Sequence, residues 1–208
     1  MGVCFSSACT VTTRPAKWNV KGVRIRDRTA RGKVVVQVSQ PNKKECAVDP
    51  LFSLAKRLGD ALLDTELTVT TAESCTGGGI AYCLTDVPGS SQWFQQAWVT
   101  YSNTAKQALV HVSTDLLAQY GAVSEPVVSA MAEGALAEAN AGLAIAVSGV
   151  AGPSGGSDDK PIGTVWFAWA WHNGETDSEV CHFDGDRRAV REQTIEHALS
   201  FALQRLSP

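Results

Sequence analysis

Leu67-Thr68-Val69-Thr70-Thr71-Ala72-Glu73-Ser74-Cys75-Thr76-Gly77-Gly78-Gly79-Ile80-Ala81-Tyr82-Cys83-Leu84 is the stretch on which the fold turns. The β-branched start predicts a strand over 67–71, the three glycines a tight turn, and the apolar run from Ile80 a helix over about 77–85. Such a turn exposes main-chain N–H groups where the following helix favours negative charge. A hydroxyl, Ser74, and a thiol, Cys75, stand side by side at its entrance. The place suits a nucleophile, an oxyanion or a phosphate. Glycine content alone fits a turn without chemistry equally well.

Working outward, Leu51, Leu54, Ala55, Leu58, Ala61 and Leu62 recur at helical spacing and predict an amphipathic helix over 50–64. Ala97 to Tyr101 reads as a buried strand, 104–110 as a helix, and Ser113 as the cap of another helix ending at Tyr120. Ser124, with Pro126 behind it, is expected to cap a long Ala-rich helix to about Asn140. Leu143 to Ser148 is continuously apolar up to its last residue, as in a strand covered on both faces. Thr164 to Trp171 and Glu179 to Phe183 predict a hairpin, and Gly185-Asp186 starts a last helix to about Leu206. Helices alternating with strands give a three-layer α/β/α sandwich around a mixed, mostly parallel sheet.

Charge divides the chain. Residues 1–46 hold ten Lys and Arg against two acids, a balance of +8, whereas 47–208 hold eight against nineteen, a balance of −11. The expected organisation is a basic, poorly ordered arm over 1–46 and a compact domain over 47–208. The arm fits an extension without fixed role, an Arg-rich targeting peptide, or, through Met1-Gly2-Val3-Cys4-Phe5-Ser6, a myristoylation signal. Trp18 is its lone aromatic besides Phe5, so no stacking set for nucleic acid accompanies the positive charge. Six cysteines at 4, 9, 46, 75, 83 and 181 form no CxxC pair, which fits free thiols in a reducing cytoplasm. No run approaches the ~18 apolar residues that span a bilayer.

Two glycine-rich loops follow buried strands, at 74–79 and 149–157, and open α/β sheets bind ligands beyond the carboxyl ends of their strands. Between Arg57 and Lys160 the only Lys or Arg is Lys106, just after the strand that ends at Tyr101. Burial would depress its pKa and make it a base; a solvated helix lysine is the plain alternative. Ser/Lys chemistry needs no histidine, and His111, His172, His182 and His197 lie in no triad context, His111 and His197 reading as surface groups on helices. Gly152-Pro153-Ser154-Gly155-Gly156 matches G-x-S-x-G, but loop residues rather than a helix follow the serine. Gly155 to Lys160 fails the P-loop pattern because Pro161 follows the lysine. No carboxylate/histidine set points to a metal. Glu73, Lys106 and Cys75 also read as an acid–lysine–thiol site, and the residues alone leave Ser74 and Cys75 as rival nucleophiles.

Residues 50–206 resemble the C-terminal domain of the competence/damage-inducible CinA family in its stand-alone nicotinamide mononucleotide (NMN) amidohydrolase form. The matching segments are Thr71 to Gly78, Pro88 to Ser91, Val99 to Asn103 with Lys106, Gly121 to Pro126, Ser148 to Pro153, Gly155 to Ser157, Lys160 to Val165, and Gly185 to Arg187 with Arg191. The resemblance implies hydrolysis of the NMN carboxamide, with Ser74 as nucleophile, Lys106 as base and Tyr101 nearby, and so selects Ser74 over Cys75. Main-chain N–H groups around Thr76, Gly77 and Gly78 are then the oxyanion donors. Ser148, Gly149 and Gly152 are expected to line the pocket, and Arg187 or Arg191 to hold the 5′-phosphate with the glycine loop at Gly155 and Gly156. No cofactor, metal, membrane or nucleic acid is expected, and a homodimer is left open. The alternatives are an amidase using Cys75 on another substrate and a non-catalytic nucleotide-binding module, the latter disfavoured by the presence of both Ser74 and Lys106.

Overall fold

The computed structural model describes residues 10–11, 24–25, 34–37 and 49–207. The chain divides into two units, Met1–Ala47 and Val48–Pro208. In the first, β3 (Val34–Gln37) pairs antiparallel with β1 (Thr10–Val11) and β2 (Arg24–Ile25). The expectations of a poorly ordered arm, a targeting peptide and an acylated N-terminus lie outside the described residues.

The second unit opens with α1 (Pro50–Asp64), where proline occupies a first-turn position and the Asp49 carboxylate accepts from Leu51 N–H at 3.0 Å. There follow β4 (Val69–Glu73), α2 (Gly79–Thr85), a 3₁₀ turn at Ser90–Gln92, and β5 (Phe94–Val99). Next come α3 (Asn103–Val110), α4 (Thr114–Tyr120), α5 (Glu125–Ala139), β6 (Leu143–Gly149), β7 (Thr164–Trp171), β8 (Thr176–His182) and α6 (Arg187–Leu206). The strands order β5-β4-β6-β7-β8. β4 runs parallel to β5 and β6; β7 and β8 run antiparallel. The mixed sheet and three layers follow the sequence expectation.

Alternation along the strands assigns the two faces. Leu143, Ile145 and Val147 of β6 and Val165, Phe167, Trp169 and Trp171 of β7 pack with α1, α2 and α6. Ala144, Ala146, Ala168 and Ala170 pack with α5 and its neighbours. Large side chains thus fill one layer, and small ones let the Ala-rich α5 lie close on the other. Trp169 also donates its indole N–H to the Ala198 carbonyl at 3.0 Å, fastening α6 to the sheet.

Three boundaries differ from expectation. β4 runs to Glu73 because it is paired on both sides that far, with Val99 and Val147 opposite Glu73. β5 begins and ends earlier than 97–101, and β8 begins at Thr176 because it pairs with β7 down to the turn. Ser124 precedes α5 but does not cap it with its side chain; the hydroxyl donates to the Gly121 carbonyl at 2.8 Å instead.

Candidate active site

Ser74 is the first residue beyond β4, and its N–H still donates to the Val147 carbonyl at 3.0 Å. Alternation places its side chain on the α3–α5 side of the sheet, opposite to that of Glu73. Lys106, on the second turn of α3, is 1% exposed. Its Nζ lies 3.1 Å from Ser74 Oγ and 2.8 Å from the Thr100 carbonyl. Burial pushes the Lys106 amine below its ordinary value. Its helix begins where Ser102 caps it, the hydroxyl accepting from Ala105 N–H at 3.0 Å. The neutral amine can donate to Thr100 and take the Ser74 proton through its lone pair. The ammonium so formed keeps two acceptors in place.

Cys75 points elsewhere chemically. It is 5% exposed and belongs to the apolar cluster under α1, α2 and α6. Burial pushes its thiol up to about 12, so it is uncharged at neutral pH and a poor nucleophile. Glu73 does not complete an acid–lysine–thiol site either. Its buried carboxylate accepts from Thr71 Oγ1 (3.1 Å), Thr76 Oγ1 (2.7 Å), Ile80 N–H (3.0 Å) and Ala81 N–H (2.8 Å). Gly78, at φ 91°, offers no side-chain cap to α2. Gly79 and Tyr82 N–H go to the carbonyls of Thr76 and Gly78. Glu73 takes the two between, so of the four N–H groups at the start of α2 that lack a partner within the helix only that of Gly78, the N-cap, stays free among the described residues.

That accounting narrows the N–H groups left for the expected oxyanion donors. Gly77 N–H is spent on the Ser74 carbonyl at 3.1 Å. The N–H groups of Thr76 and Gly78 meet no carbonyl or side-chain oxygen among the described residues.

α6 brings the arginines. Asp186 caps it through Arg188 and Ala189 N–H, both at 2.9 Å. Arg187 donates to the Gly152 carbonyl (2.9 Å) and to Tyr101 Oη (3.0 Å). Arg191 donates to the Thr76 carbonyl at 2.6 Å, while its Nε is buried without a partner among the described residues. Among the described residues, neither arginine pairs with a carboxylate, whereas Arg188 and Arg205 do. Arg187 and Arg191, together with Gly152, Pro153 and Ile162, line a cavity of about 640 Å³. Arg191 links this cavity to the serine turn through Thr76.

Other expected residues fall less directly. Tyr101 is 61% exposed; its hydroxyl oxygen accepts from Arg187, but it does not line the arginine cavity. Ser148 is buried and its hydroxyl donates to the Ala122 carbonyl at 2.6 Å, so it has no proton left for a ligand. A Cβ at Gly149 would come within 2.7 Å of the Thr164 carbonyl, so that glycine serves strand packing. Gly155 and Gly156 are exposed and do not line the arginine cavity. The Thr100 carbonyl and the capping by Glu73 are not legible in the sequence: the first is main chain, and the second requires knowing where β4 stops.

The CinA C-terminal domain family model matches residues 51–206. The chain belongs to this family. Similar proteins include the nicotinamide-nucleotide amidohydrolase PncC of Escherichia coli K12, 54% identical over 149 residues, covering 72% of this chain and 90% of that protein. The Pseudomonas putida protein of the same name is 55% identical over 157 residues, covering 76% and 98%. The structure of the competence/damage inducible protein CihA of Agrobacterium tumefaciens superposes with a TM-score of 0.74 at 39% identity, covering 78% of this chain and 99% of that one.

Proposed function

We propose that this protein hydrolyses the carboxamide of NMN to nicotinic acid mononucleotide and ammonia. The observation that carries the reading is the buried, depressed Lys106 amine 3.1 Å from Ser74 Oγ. It is supported by relatives at 54–55% identity that bear the amidohydrolase name.

Lys106 takes the Ser74 proton as Oγ attacks the amide carbon. The oxyanion is received by Thr76 and Gly78 N–H, where each donor typically contributes ~10²–10³ in rate. Lys106 returns the proton to the amide nitrogen, the C–N bond breaks, and ammonia leaves. Water then loses a proton to Lys106 and attacks the acyl-serine, and Ser74 is reprotonated as the acid departs. Arg187 and Arg191 provide forked donors for the 5′-phosphate, with Arg191 Nε as a donor still free to be used. Tyr101 holds Arg187 from outside this space, its hydroxyl oxygen accepting from the guanidinium. The chemistry needs no metal, and a cytoplasmic place fits the free thiols of Cys75, Cys83 and Cys181. The domain that does this work is 47–208.

Ammonia release from NMN by the purified full chain tests the reading. Activity should persist in EDTA, vanish in Ser74→Ala and survive in Cys75→Ala. Loss in Cys75→Ala with retention in Ser74→Ala, or silence with NMN, would overturn it.

A further inference from the structure

A second cluster of ligand-bearing side chains lies on the other side of the sheet from Lys106. Glu179 and Cys181 alternate on β8 and face α6, which presents His197 between them. His197 Nε2 lies 3.0 Å from Glu179 Oε2 and 3.6 Å from Cys181 Sγ. All three donor atoms fall within 4.8 Å of one another. We propose that Glu179, Cys181 and His197 bind a zinc-class divalent cation, with a fourth position open to water.

The distances favour a metal. Zn–S of about 2.3 Å and Zn–N of about 2.0–2.1 Å at a tetrahedral angle separate the two donors by about 3.6 Å. The sulfur–nitrogen spacing in the structure already matches that figure. The same geometry separates oxygen and nitrogen by about 3.3 Å, a small outward adjustment for a carboxylate that is 43% exposed. The imidazole is held in place by aromatic neighbours, its centroid 4.8 Å from Phe167 and 6.2 Å from Phe183 in edge-on contacts. A thiolate, an imidazole and one carboxylate select zinc-like ions over magnesium or calcium. Burial and the Glu179 carboxylate push the Cys181 thiol up to about 11, so the cation must displace one proton to solvent. Arg205, the nearby cation on α6, is engaged by Glu175 at 2.7 Å and Asp177 at 3.4 Å and does not fill the place. Bound metal would fasten the edge strand β8 to the helix that carries Arg187 and Arg191.

Metal-stripped full chain titrated with Co²⁺ should develop a near-ultraviolet thiolate-to-cobalt band at one equivalent, bleached by Zn²⁺. Cys181→Ser should lose the band. His197→Gln and Glu179→Gln, which keep every thiol, should weaken Co²⁺ binding at least about tenfold, and the partly exposed Glu179 site keeps the test decidable if another variant fails to fold. Zn²⁺ should raise the thermal midpoint of wild type and leave that of Cys181→Ser unmoved. No band in the wild type, an undiminished band in Cys181→Ser, or unchanged affinity in either glutamine variant would overturn the site.

Discussion

Glu73→Gln probes the joint between sheet and active turn with almost no change of shape. Each carboxylate oxygen accepts from one threonine hydroxyl and one helix N–H: Oε1 from Thr71 and Ala81, Oε2 from Thr76 and Ile80. A glutamine keeps one accepting oxygen and turns the other position into an amine. A hydroxyl facing that amine can rotate to accept, but the helix N–H facing it cannot. Whichever way the amide sits, one buried N–H of α2 is orphaned and one bond to a charged acceptor is lost. Such a loss costs about 2–4 kcal/mol. The neutral amide is easier to bury than a carboxylate, which pulls the net cost towards about 2 kcal/mol. At roughly 2–4 °C per kcal/mol for a domain of this size, the thermal midpoint should fall by about 4–8 °C. Urea unfolding followed by circular dichroism should show the same loss as a lower midpoint at unchanged slope. Turnover should fall as well at temperatures where the variant is folded, because Ser74 and the proposed oxyanion donors belong to the turn that Glu73 holds. A variant within about 0.5 kcal/mol of wild type would refute the capping argument.

Further outcomes are expected. Burial lowers the Lys106 pKa from 10.5, so the amine is neutral above its folded value and kcat/KM should rise along an acidic limb that ends below 10.5; a rate still climbing there would exclude a desolvated base. By linkage the same shift makes the folded state lose stability as pH falls from the unfolded lysine value towards the folded one, and flattening below it should be visible in urea midpoints. In Lys106→Met both the limb and this slope should disappear along with activity. Arg191→Met should raise KM for NMN more than it lowers kcat, and should affect an unphosphorylated nicotinamide riboside far less; equal effects on both substrates would refute its role at phosphate. Gly134→Ala should destabilise by about 1–3 kcal/mol despite a gain in helix propensity of about 1, since its Cβ would run into the Val110 carbonyl; a midpoint equal to wild type would show that α3 and α5 can part freely.

Much of the architecture is legible in the sequence. Apolar runs such as Leu143–Val147 and the periodic residues of α1 have one reading each, and glycine, serine and proline mark where the segments end. Strand ends were less legible, because β4 reaches Glu73 only through partners on both sides. A glutamate beside a serine and a cysteine looks like chemistry, and only the direction of its side chain makes it a cap. The choice between Ser74 and Cys75 is of the same kind: adjacent residues point to opposite layers, one towards Lys106 and one into an apolar cluster. His197 read as a surface helix residue, yet it packs on Phe167 and faces Cys181, residues 30 and 16 positions away in sequence.

Glu73 and Ser74 turn to opposite sides of the sheet because strand side chains alternate. Gaining or losing a single residue in β4 would exchange their sides and set a carboxylate against Lys106. The amine would then be held protonated by a permanent counter-ion, and the helix would lose its cap in the same event. The length of this strand is therefore locked by two demands at once, and insertions that lengthen this protein over evolutionary time have to fall outside it.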